Sequence, residues 1–220
     1  MVYVERLNIT FPKPKRLPIG ATPRKNIITQ REMTYLFKHK LVIEEEMDGK
    51  PVKFITTKIH FFIFAADLKE MRETYYHIPG RYAIFDIFDP DRDLFLPWNY
   101  KFDLSMKIRE GKIRIGNFDP LLFFPVPIIA FGKFEMEDLP QFLGVSGYAH
   151  NPNTRFPGLG KGIIVKSSAD EFPDEYHPGK IVRKEFLGEK GWNLPQNPPR
   201  NNLIDPSKMV VNFILSDITK

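Results

Sequence analysis

Short runs of apolar and β-branched residues recur along the chain, separated by glycine, proline and charged positions. Runs of about four to eight such residues bounded by turn residues are typical of β-strands. We therefore predict strands at 41–46, 54–65, 82–88, 112–115, 128–131, 162–166 and 181–186. The apolar spacing thus favours a protein built mainly from sheets.

Two segments carry helix signals instead. In residues 29–38 (TQREMTYLFK), Thr29 is a candidate N-cap and Glu32, three residues on, its capping-box partner. Residues 135–143 are the second predicted helix. Longer helices are not expected, because twenty prolines and fourteen glycines interrupt the sequence.

The segment 41–52 (LVIEEEMDGKPV) places three consecutive glutamates before an Asp-Gly pair. Asp-Gly tolerates the positive φ of tight turns and is a strong hairpin signal, so the pattern predicts that strand 41–46 turns back at Asp48 and Gly49. Nothing in the stretch neutralises the three carboxylates before Lys50. A chemical explanation for this crowding depends on other segments of the chain.

The order of the predicted elements indicates one α+β domain rich in antiparallel sheet. We assign residues 1–220 to this single domain, because the sequence shows neither an internal repeat nor a change of composition that would mark a linker. Residues 187–220 are interpreted as a proline-rich C-terminal extension.

Composition matches an ordinary globular protein, with 42% hydrophobic and 27% charged residues. The longest apolar run, 121–131, contains two prolines and falls short of the roughly 20 residues that cross a membrane. We expect no membrane partner, no secretory signal and a cytoplasmic location. The absence of cysteine excludes disulfides and thiolate metal sites. A net charge of +5 favours a polyanionic partner if the basic residues share one face.

Sequence signatures of common catalytic sites are missing. The chain has no phosphate-binding glycine-rich loop and no nucleophilic serine motif, and its five histidines are scattered, so we predict no metal site. Four groups of segments remain as candidates for chemistry: EEEMDG at 44–49, FIFAADL at 62–68 followed by RYAIFDIFD at 81–89, GKGIIVK at 160–166, and GKIVRKEF at 179–186.

In order and spacing, these segments resemble the nucleotidyltransferase domain of ATP-dependent RNA ligases, which are relatives of DNA ligases and mRNA capping enzymes. The similarity runs from about Phe11 to Phe186, and no single motif is specific alone. It implies an antiparallel-sheet-rich ligase adenylation fold, ATP and magnesium as cofactors, and RNA or DNA as partner. A protein partner is the alternative to nucleic acid.

Three positions depart from the pattern of this family. Its first motif, Lys-x-Asp-Gly, is matched by Asp48 and Gly49, but Glu46 stands where the nucleophilic lysine belongs. The glutamate of the third motif falls on Ala66, and that of the fourth motif falls on Lys161. A carboxylate cannot replace the amine that attacks the α-phosphate of ATP.

Glu46 and Lys161 have in effect exchanged the charges that the family places at these positions. We therefore expect the two side chains to face one another. Opposite charges about 4 Å apart at a partly buried site attract by roughly 4 kcal/mol before desolvation is subtracted. The alternative is that both are unrelated, solvated charges on separate loops.

Other matching residues suggest binding. By the resemblance, Lys166 and Lys180 face phosphate groups, and Tyr82 or Phe85 provides an aromatic platform for a purine. Strand alternation puts these two aromatic residues on opposite faces, so only one can line a pocket; we favour Tyr82. Core packing is the alternative for both. Basic residues that alternate as on a strand face are a further candidate phosphate surface, with a solvated sheet edge that blocks aggregation as the alternative: Lys107, Arg109, Lys112 and Arg114.

Three functions follow from these observations. The leading hypothesis is an RNA-ligase-like protein that has lost lysyl-AMP formation and acts as a nucleic-acid- or protein-binding component. The second is an active RNA ligase in which Lys50 or Lys161 serves as a displaced nucleophile. The third is a structural subunit of a larger complex or particle that keeps the fold as a rigid body.

Overall fold

The computed structural model describes residues 11–19, 26–47, 49–56, 60–69, 77–143, 161–169, 172, 174–183 and 202–203. The side chains of residues 77, 202 and 203 are outside this description. Asp48 and most of the predicted extension 187–220 also lie outside the described residues.

The described chain contains two α-helices and twelve strands. The helices are α1 (Gln30–Lys38) and α2 (Trp98–Arg109), and 3-10 helices cover Pro120–Leu122 and Met136–Phe142. The strands are β1 (Lys15–Arg16), β2 (Leu41–Glu45), β3 (Lys50–Ile55), β4 (Phe62–Asp67), β5 (His77–Ile78), β6 (Tyr82–Asp89), β7 (Leu94–Phe95), β8 (Phe123–Pro125), β9 (Ile128–Gly132), β10 (Gly162–Ser167), β11 (Gly179–Val182) and β12 (Asn202–Leu203).

The first sheet has the order β1-β11-β10-β2-β9 and is antiparallel except for the β1–β11 pair. One of its faces is apolar, with Leu41, Ile43, Ile163 and Val165 in a core that also holds Leu36 of α1. Since side chains alternate along a strand, Val42 and Glu44 lie on the opposite face. That second face carries the charged residues of the candidate site.

The second sheet has the order β3-β4-β6-β7, and β8 pairs with β6 in parallel. One of its faces packs against α2 through Ile63, Ile84, Ile87 and Ile108. Phe62, Phe64 and Phe88 belong to a separate aromatic cluster. A third, two-stranded sheet joins β12 to β5 in parallel. The mixed α and β architecture with mainly antiparallel sheets agrees with the predicted class.

Several predicted elements are confirmed by the structure. Thr29 caps α1, and the reciprocal bonds with Glu32 that define a capping box are both present. The predicted strands around β2, β6, β9 and β10 form, and the predicted second helix is a 3-10 helix at Met136–Phe142. The strand predicted at 181–186 is confirmed only where it overlaps β11, which ends at Val182, and residues 184–186 lie outside the described residues. In the part of the chain that is described, no helix is long and apolar enough to cross a membrane.

The predicted hairpin at Asp48 and Gly49 is wrong. β2 pairs with β9 and β10, whereas β3 pairs with β4 in the other sheet, so the chain passes between sheets at this point. The single strand predicted at 54–65 is also wrong, because β3 and β4 form an antiparallel pair with Ile55 opposite Phe62. A local turn signal cannot specify which sheet a strand joins.

The predicted strand 112–115 does not form, and the helix α2 before it was not predicted. Lys107 and Arg109 therefore belong to a helix rather than to a strand face. Arg109 is buried, and its Nη1 donates to the carbonyl oxygens of Leu121 and Phe123 at 3.1 and 2.9 Å. This arginine holds the 120–123 segment against α2 and is not a phosphate ligand on the surface.

Candidate functional site

All three consecutive glutamates at the end of β2 are buried. Glu44, Glu45 and Glu46 expose only 1%, 4% and 9% of their surface. Glu44 lies opposite Ile164 of β10, and Glu46 continues the same face, its backbone N–H donating to the carbonyl oxygen of Gly162. Buried carboxylates require cationic partners, and Glu44 and Glu46 are paired with different lysines.

Glu44 belongs to a charge cluster shared by both sheets and α2. Its carboxylate pairs with Lys101 of α2 and, at 2.7 Å, with Lys166 of β10. Lys166 also lies 3.0 Å from Asp86 of β6, and the Tyr176 hydroxyl donates to that same aspartate. We call Glu44, Asp86, Lys101 and Lys166 the inner cluster. Two carboxylates and two ammonium groups leave it without net charge.

The pKa directions within the inner cluster follow from burial opposed by ion pairing. Burial raises the pKa of Glu44, but Lys101 and Lys166 outweigh it and hold this pKa below its ordinary value. Burial likewise works against the charged form of Lys166, but Asp86 and Glu44 raise its pKa above the ordinary value. For Lys101 burial prevails, and its pKa is lowered despite Glu44.

Glu46 belongs to a second group at the edge of the same face. Its Oε1 lies 3.9 Å from Lys161 Nζ and 3.4 Å from Lys180 Nζ. The side chains of these two lysines are 26% and 24% exposed, so solvent reaches them, unlike the inner cluster. We call Glu46, Lys161 and Lys180 the outer triad. The expected approach of Glu46 to Lys161 is present.

Gly162 allows the carboxylate of Glu46 to lie close to β10. A Cβ atom at this position would come within 2.8 Å of Glu46 Oε2 and within 2.2 Å of the Ile181 carbonyl oxygen. Real Cβ atoms do not approach backbone oxygens so closely, so only glycine fits here. Gly162, in the segment GKGIIVK, therefore allows the outer triad to pack against β11.

Gly49 and Ala66, two further predicted site residues, are neighbours. A Cβ added to Gly49 would meet the Ala66 Cβ at 3.0 Å and the Asp67 carbonyl oxygen at 2.9 Å. The adjacent carboxylate of Asp67 binds Arg81 through two bonds of 2.8 and 2.6 Å, which lower its pKa. The acidic group in this segment thus lies one residue after Ala66 and is held by an arginine.

The prediction that Tyr82 lines a pocket disagrees with the structure. Tyr82 is 5% exposed and packs against Phe54 and Phe123, on the face of the second sheet that contacts α2. Burial raises the pKa of its hydroxyl. Tyr82 is therefore a core residue and lies away from the lysines that the sequence grouped with it.

Phe85 is the aromatic residue beside the inner cluster. Phe64 pairs with Asp86 and Ala65 with Ile84, so Phe85 is the extra residue of a β-bulge. Its carbonyl oxygen accepts from Lys101 and Lys166, and its ring lies 5.9 Å from Lys166 Nζ. The bulge interrupts the strand alternation from which the two aromatic residues were assigned to faces. The ring of Phe11 already packs against the Phe85 ring, with centroids 4.7 Å apart.

Sequence reasoning missed three of the four inner-cluster residues. In the sequence, Glu44 stands out only as part of the glutamate run, and Asp86 only as one position of the segment RYAIFDIFD. Lys101 carried no signal, because its helix was not predicted. The one detectable hint is Asp86 in the middle of β6 between apolar residues, since a carboxylate there requires a partner.

A metal site has no support among the residues that are described. No group of three or more histidine or acidic side chains lies close enough there to hold an ion. Each carboxylate of the inner cluster and outer triad has a lysine within 4 Å. The arrangement therefore suits the binding of anions by lysine better than the binding of cations by carboxylate.

Comparison with known proteins gives a likeness of fold only. No family model matches the chain, and no curated protein matches its sequence. Among solved structures it is similar to a variant of the Naegleria gruberi RNA ligase with ATP and Mn, with a TM-score of 0.53 and 12% identity. The match covers 81% of this chain and 57% of the ligase, so the chain spans little more than half of that enzyme's length.

A second variant of the same ligase, also with ATP and Mn, matches with a TM-score of 0.44 and 14% identity, covering 83% of this chain and 65% of the ligase. The first likeness shows that the chain has an RNA-ligase-like fold.

Proposed function

We propose that this protein, which has an RNA-ligase-like fold, does not form lysyl-AMP and instead binds nucleic acid. The observation that carries this proposal is the outer triad, in which Glu46 holds Lys161 and Lys180 at 3.9 and 3.4 Å. By the family resemblance, Glu46 stands at the end of β2 where a nucleophilic lysine belongs. A carboxylate there cannot form the phosphoramide bond of a lysyl-AMP.

The residues around the triad do not suit ATP and magnesium. Lys166, expected to face phosphate, is 5% exposed and engaged by Glu44 and Asp86 at 2.7 and 3.0 Å. The ring of Phe85 is in contact with Phe11 rather than open to a purine. The proposed function therefore depends on neither cofactor.

An active ligase with a displaced nucleophile has less support. Lys161 lies in an ion pair with the carboxylate that replaces the family's lysine. Lys50, the other candidate, begins β3 in the second sheet, opposite Asp67. Neither amine lies on β2, the strand that by the resemblance carries the nucleophile.

Binding of nucleic acid is supported by the charge of the outer triad. Two lysines against one carboxylate leave one excess positive charge, and both ammonium groups are reached by solvent. Lysine side chains of this kind contact phosphate oxygens without reading the bases. The proposed binding is therefore electrostatic and weakens as salt rises.

Two measurements on the purified chain test the proposal. Incubation with α-labelled ATP and Mg²⁺ or Mn²⁺, beside an active RNA ligase as positive control, is expected to give no covalent label. In fluorescence polarisation with RNA and DNA oligonucleotides, Lys161→Ala/Lys180→Ala is expected to weaken binding several-fold and to reduce its salt dependence.

A label that disappears in Lys161→Ala would instead favour the active ligase. A wild-type protein that binds no oligonucleotide even at low salt would favour a protein partner or a structural subunit.

A further inference from the structure

A second basic surface lies at the opposite end of β2 from the outer triad. Lys38 ends α1, Lys40 precedes β2, and Lys133 follows β9; all three residues are exposed. The Lys133 ammonium donates to the Lys38 carbonyl oxygen at 3.5 Å, which ties the end of α1 to the end of β9. We call these three residues the lysine rim.

Strand register brings two of these lysines together. Leu41 lies opposite Gly132 and Val42 opposite Phe131, so one step beyond the ladder Lys40 comes opposite Lys133. Like charges directly across a ladder are destabilising. Among the described residues, no carboxylate forms an ion pair with Lys40 or Lys133. An anion bound between them would relieve the repulsion.

Aromatic rings lie next to the lysine rim on the same face of the sheet. Lys40 Nζ is 5.7 Å from the centre of the Phe131 ring, and the Trp98 ring lies 5.2 Å from Phe131 at an angle of 46°. Both aromatic residues are half-buried. Flat aromatic rings beside exposed lysines are the combination on which single-stranded nucleic acids stack their bases while lysines contact phosphates.

Three acidic residues of the adjoining elements make contacts within their own segments. Glu135 and Asp138 form a reciprocal capping box around the 3-10 helix that follows β9, in which Glu137 is exposed. Asp103 of α2 pairs with Lys107. None of these carboxylates forms an ion pair with Lys40 or Lys133, whereas Glu46 does so with Lys161 and Lys180.

We propose that the lysine rim, with Phe131 and Trp98, is a binding surface for single-stranded nucleic acid. A single strand is favoured over a duplex, because a base must leave its stack to contact an aromatic side chain. The inference rests on the proposed function and adds the location of the contact. Lys40 and Glu46 are six residues apart on an extended chain, or about 20 Å, so the two basic surfaces can be tested separately.

Fluorescence polarisation with labelled single-stranded RNA and DNA tests this surface on the full chain. Lys40→Glu/Lys133→Glu is expected to bind about tenfold more weakly at about 0.1 M salt. The slope of log affinity against log salt should fall by about 1.4, since each phosphate contact of a single strand contributes about 0.7. The charge-matched control is Lys53→Glu/Lys69→Glu, which changes two exposed lysines elsewhere and should keep most of the binding.

The ring contact has its own pair of variants. Trp98→Ala is expected to bind about tenfold more weakly with an unchanged salt slope, because stacking does not release counterions. Trp98→Phe keeps a flat ring and should stay within about threefold of wild type. Circular dichroism verifies that each variant is folded. If Trp98→Ala does not fold, Lys40→Glu/Lys133→Glu and its control pair still decide the test.

The inference is overturned if Lys40→Glu/Lys133→Glu binds like its control pair, or if the wild type binds no single strand. If Lys161→Ala/Lys180→Ala and Lys40→Glu/Lys133→Glu each weaken binding, both the outer triad and the lysine rim contact the nucleic acid. Binding that depends on Lys161 and Lys180 but not on the rim would refute this inference alone. Equal binding of duplex and single strand would also contradict it.

Discussion

At the scale of single residues, the main feature at the end of β2 is the charge of Glu46 and of the two lysines next to it. Glu46 is 9% exposed and lies within ion-pair distance of Lys161 and Lys180. Reversing the charge at position 46 sets three lysines together, and reversing it at position 161 sets two carboxylates together, whereas exchanging the two charges restores an opposite pair at 46 and 161 but leaves Lys180 beside a like charge. The effects of substitutions at 46 and 161 should therefore not be additive.

We expect Glu46→Lys and Lys161→Glu each to lower the free energy of unfolding by about 1–2 kcal/mol. The first gathers three lysines without a carboxylate, and the second sets two carboxylates against Lys180. The double variant should be destabilised by at least about 0.5 kcal/mol less than the sum of the two single effects, because it restores an opposite pair at 46 and 161 although position 46 then repels Lys180. Urea unfolding followed by circular dichroism measures all four proteins of this double-mutant cycle.

The control double variant is Glu46→Lys with Lys53→Glu. Lys53 is exposed on β3 in the other sheet, so the effects of these two substitutions should be additive. A double variant whose destabilisation equals the sum of the two single effects would show that Glu46 and Lys161 do not interact.

At the scale of elements, α1 depends on contacts that lie mostly within its own sequence. The Thr29 backbone N–H donates to Glu32 Oε2 at 2.9 Å, and Lys15 of β1 adds an ion pair to the same carboxylate. Burial raises the pKa of Glu32, but Lys15 and Thr29 lower it from 4.5 to about 2. Glu32 thereby joins the helix cap to the edge strand β1.

The lowered pKa of Glu32 gives a pH dependence with a definite sign. A carboxyl group whose pKa is lower in the folded state contributes stability above its unfolded pKa and loses it as the pH falls. Wild type should therefore lose stability between pH 4.5 and about 2 more steeply than Glu32→Gln. Urea midpoints measured from pH 7 downward test this expectation.

Glu137→Gln, an exposed site in the 3-10 helix, is the matched control and should parallel wild type. If Glu32→Gln showed the same acid sensitivity as wild type, the ion pair with Lys15 would have no effect on stability.

The two α-helices show why one element could be predicted and the other could not. The signals of α1 are local: a cap, its partner three residues on, and a basic last turn. The buried positions of α2 include Lys101, Ser105 and Arg109, so its inner face lacks the apolar period that marks a helix. Lys101 and Arg109 can be buried because partners distant in sequence, Glu44 and the Leu121 carbonyl oxygen, satisfy them, whereas Ser105 donates to the Lys101 carbonyl oxygen one turn earlier.

At the scale of the whole molecule, buried charges connect the two main sheets. Lys166 of the first sheet contacts Asp86 and the Phe85 carbonyl oxygen of the second, and α2 reaches Glu44 through Lys101. The aromatic cluster of Phe11, Phe64, Phe95 and Tyr176 lies beside these charges. The inner cluster therefore contributes to the relative placement of the sheets.

Lys166→Met is expected to lower the free energy of unfolding by about 3–5 kcal/mol, because it leaves buried carboxylates without one of their cations. The unfolding midpoint should fall by the same amount in far-ultraviolet circular dichroism and in tryptophan fluorescence, because Lys166 connects the two sheets. Lys112→Met is the control: this lysine pairs with Glu110 at 2.6 Å but is 67% exposed, so its loss should not change the midpoint measurably. A Lys166→Met midpoint equal to that of the control would contradict a structural role for the cluster.

The sequence by itself determined the strand-rich composition and the capped helix α1, and it predicted the approach of Glu46 to Lys161. These features depend on neighbours in sequence or on the order of motifs, which a linear reading contains. Only the tertiary structure decided that β2 and β3 join different sheets, that Phe85 rather than Tyr82 lies beside the lysines, and that Glu44 pairs with Lys101. The physical reason is that sheet partnership, β-bulges and the pairing of buried charges are set by residues far apart in the chain.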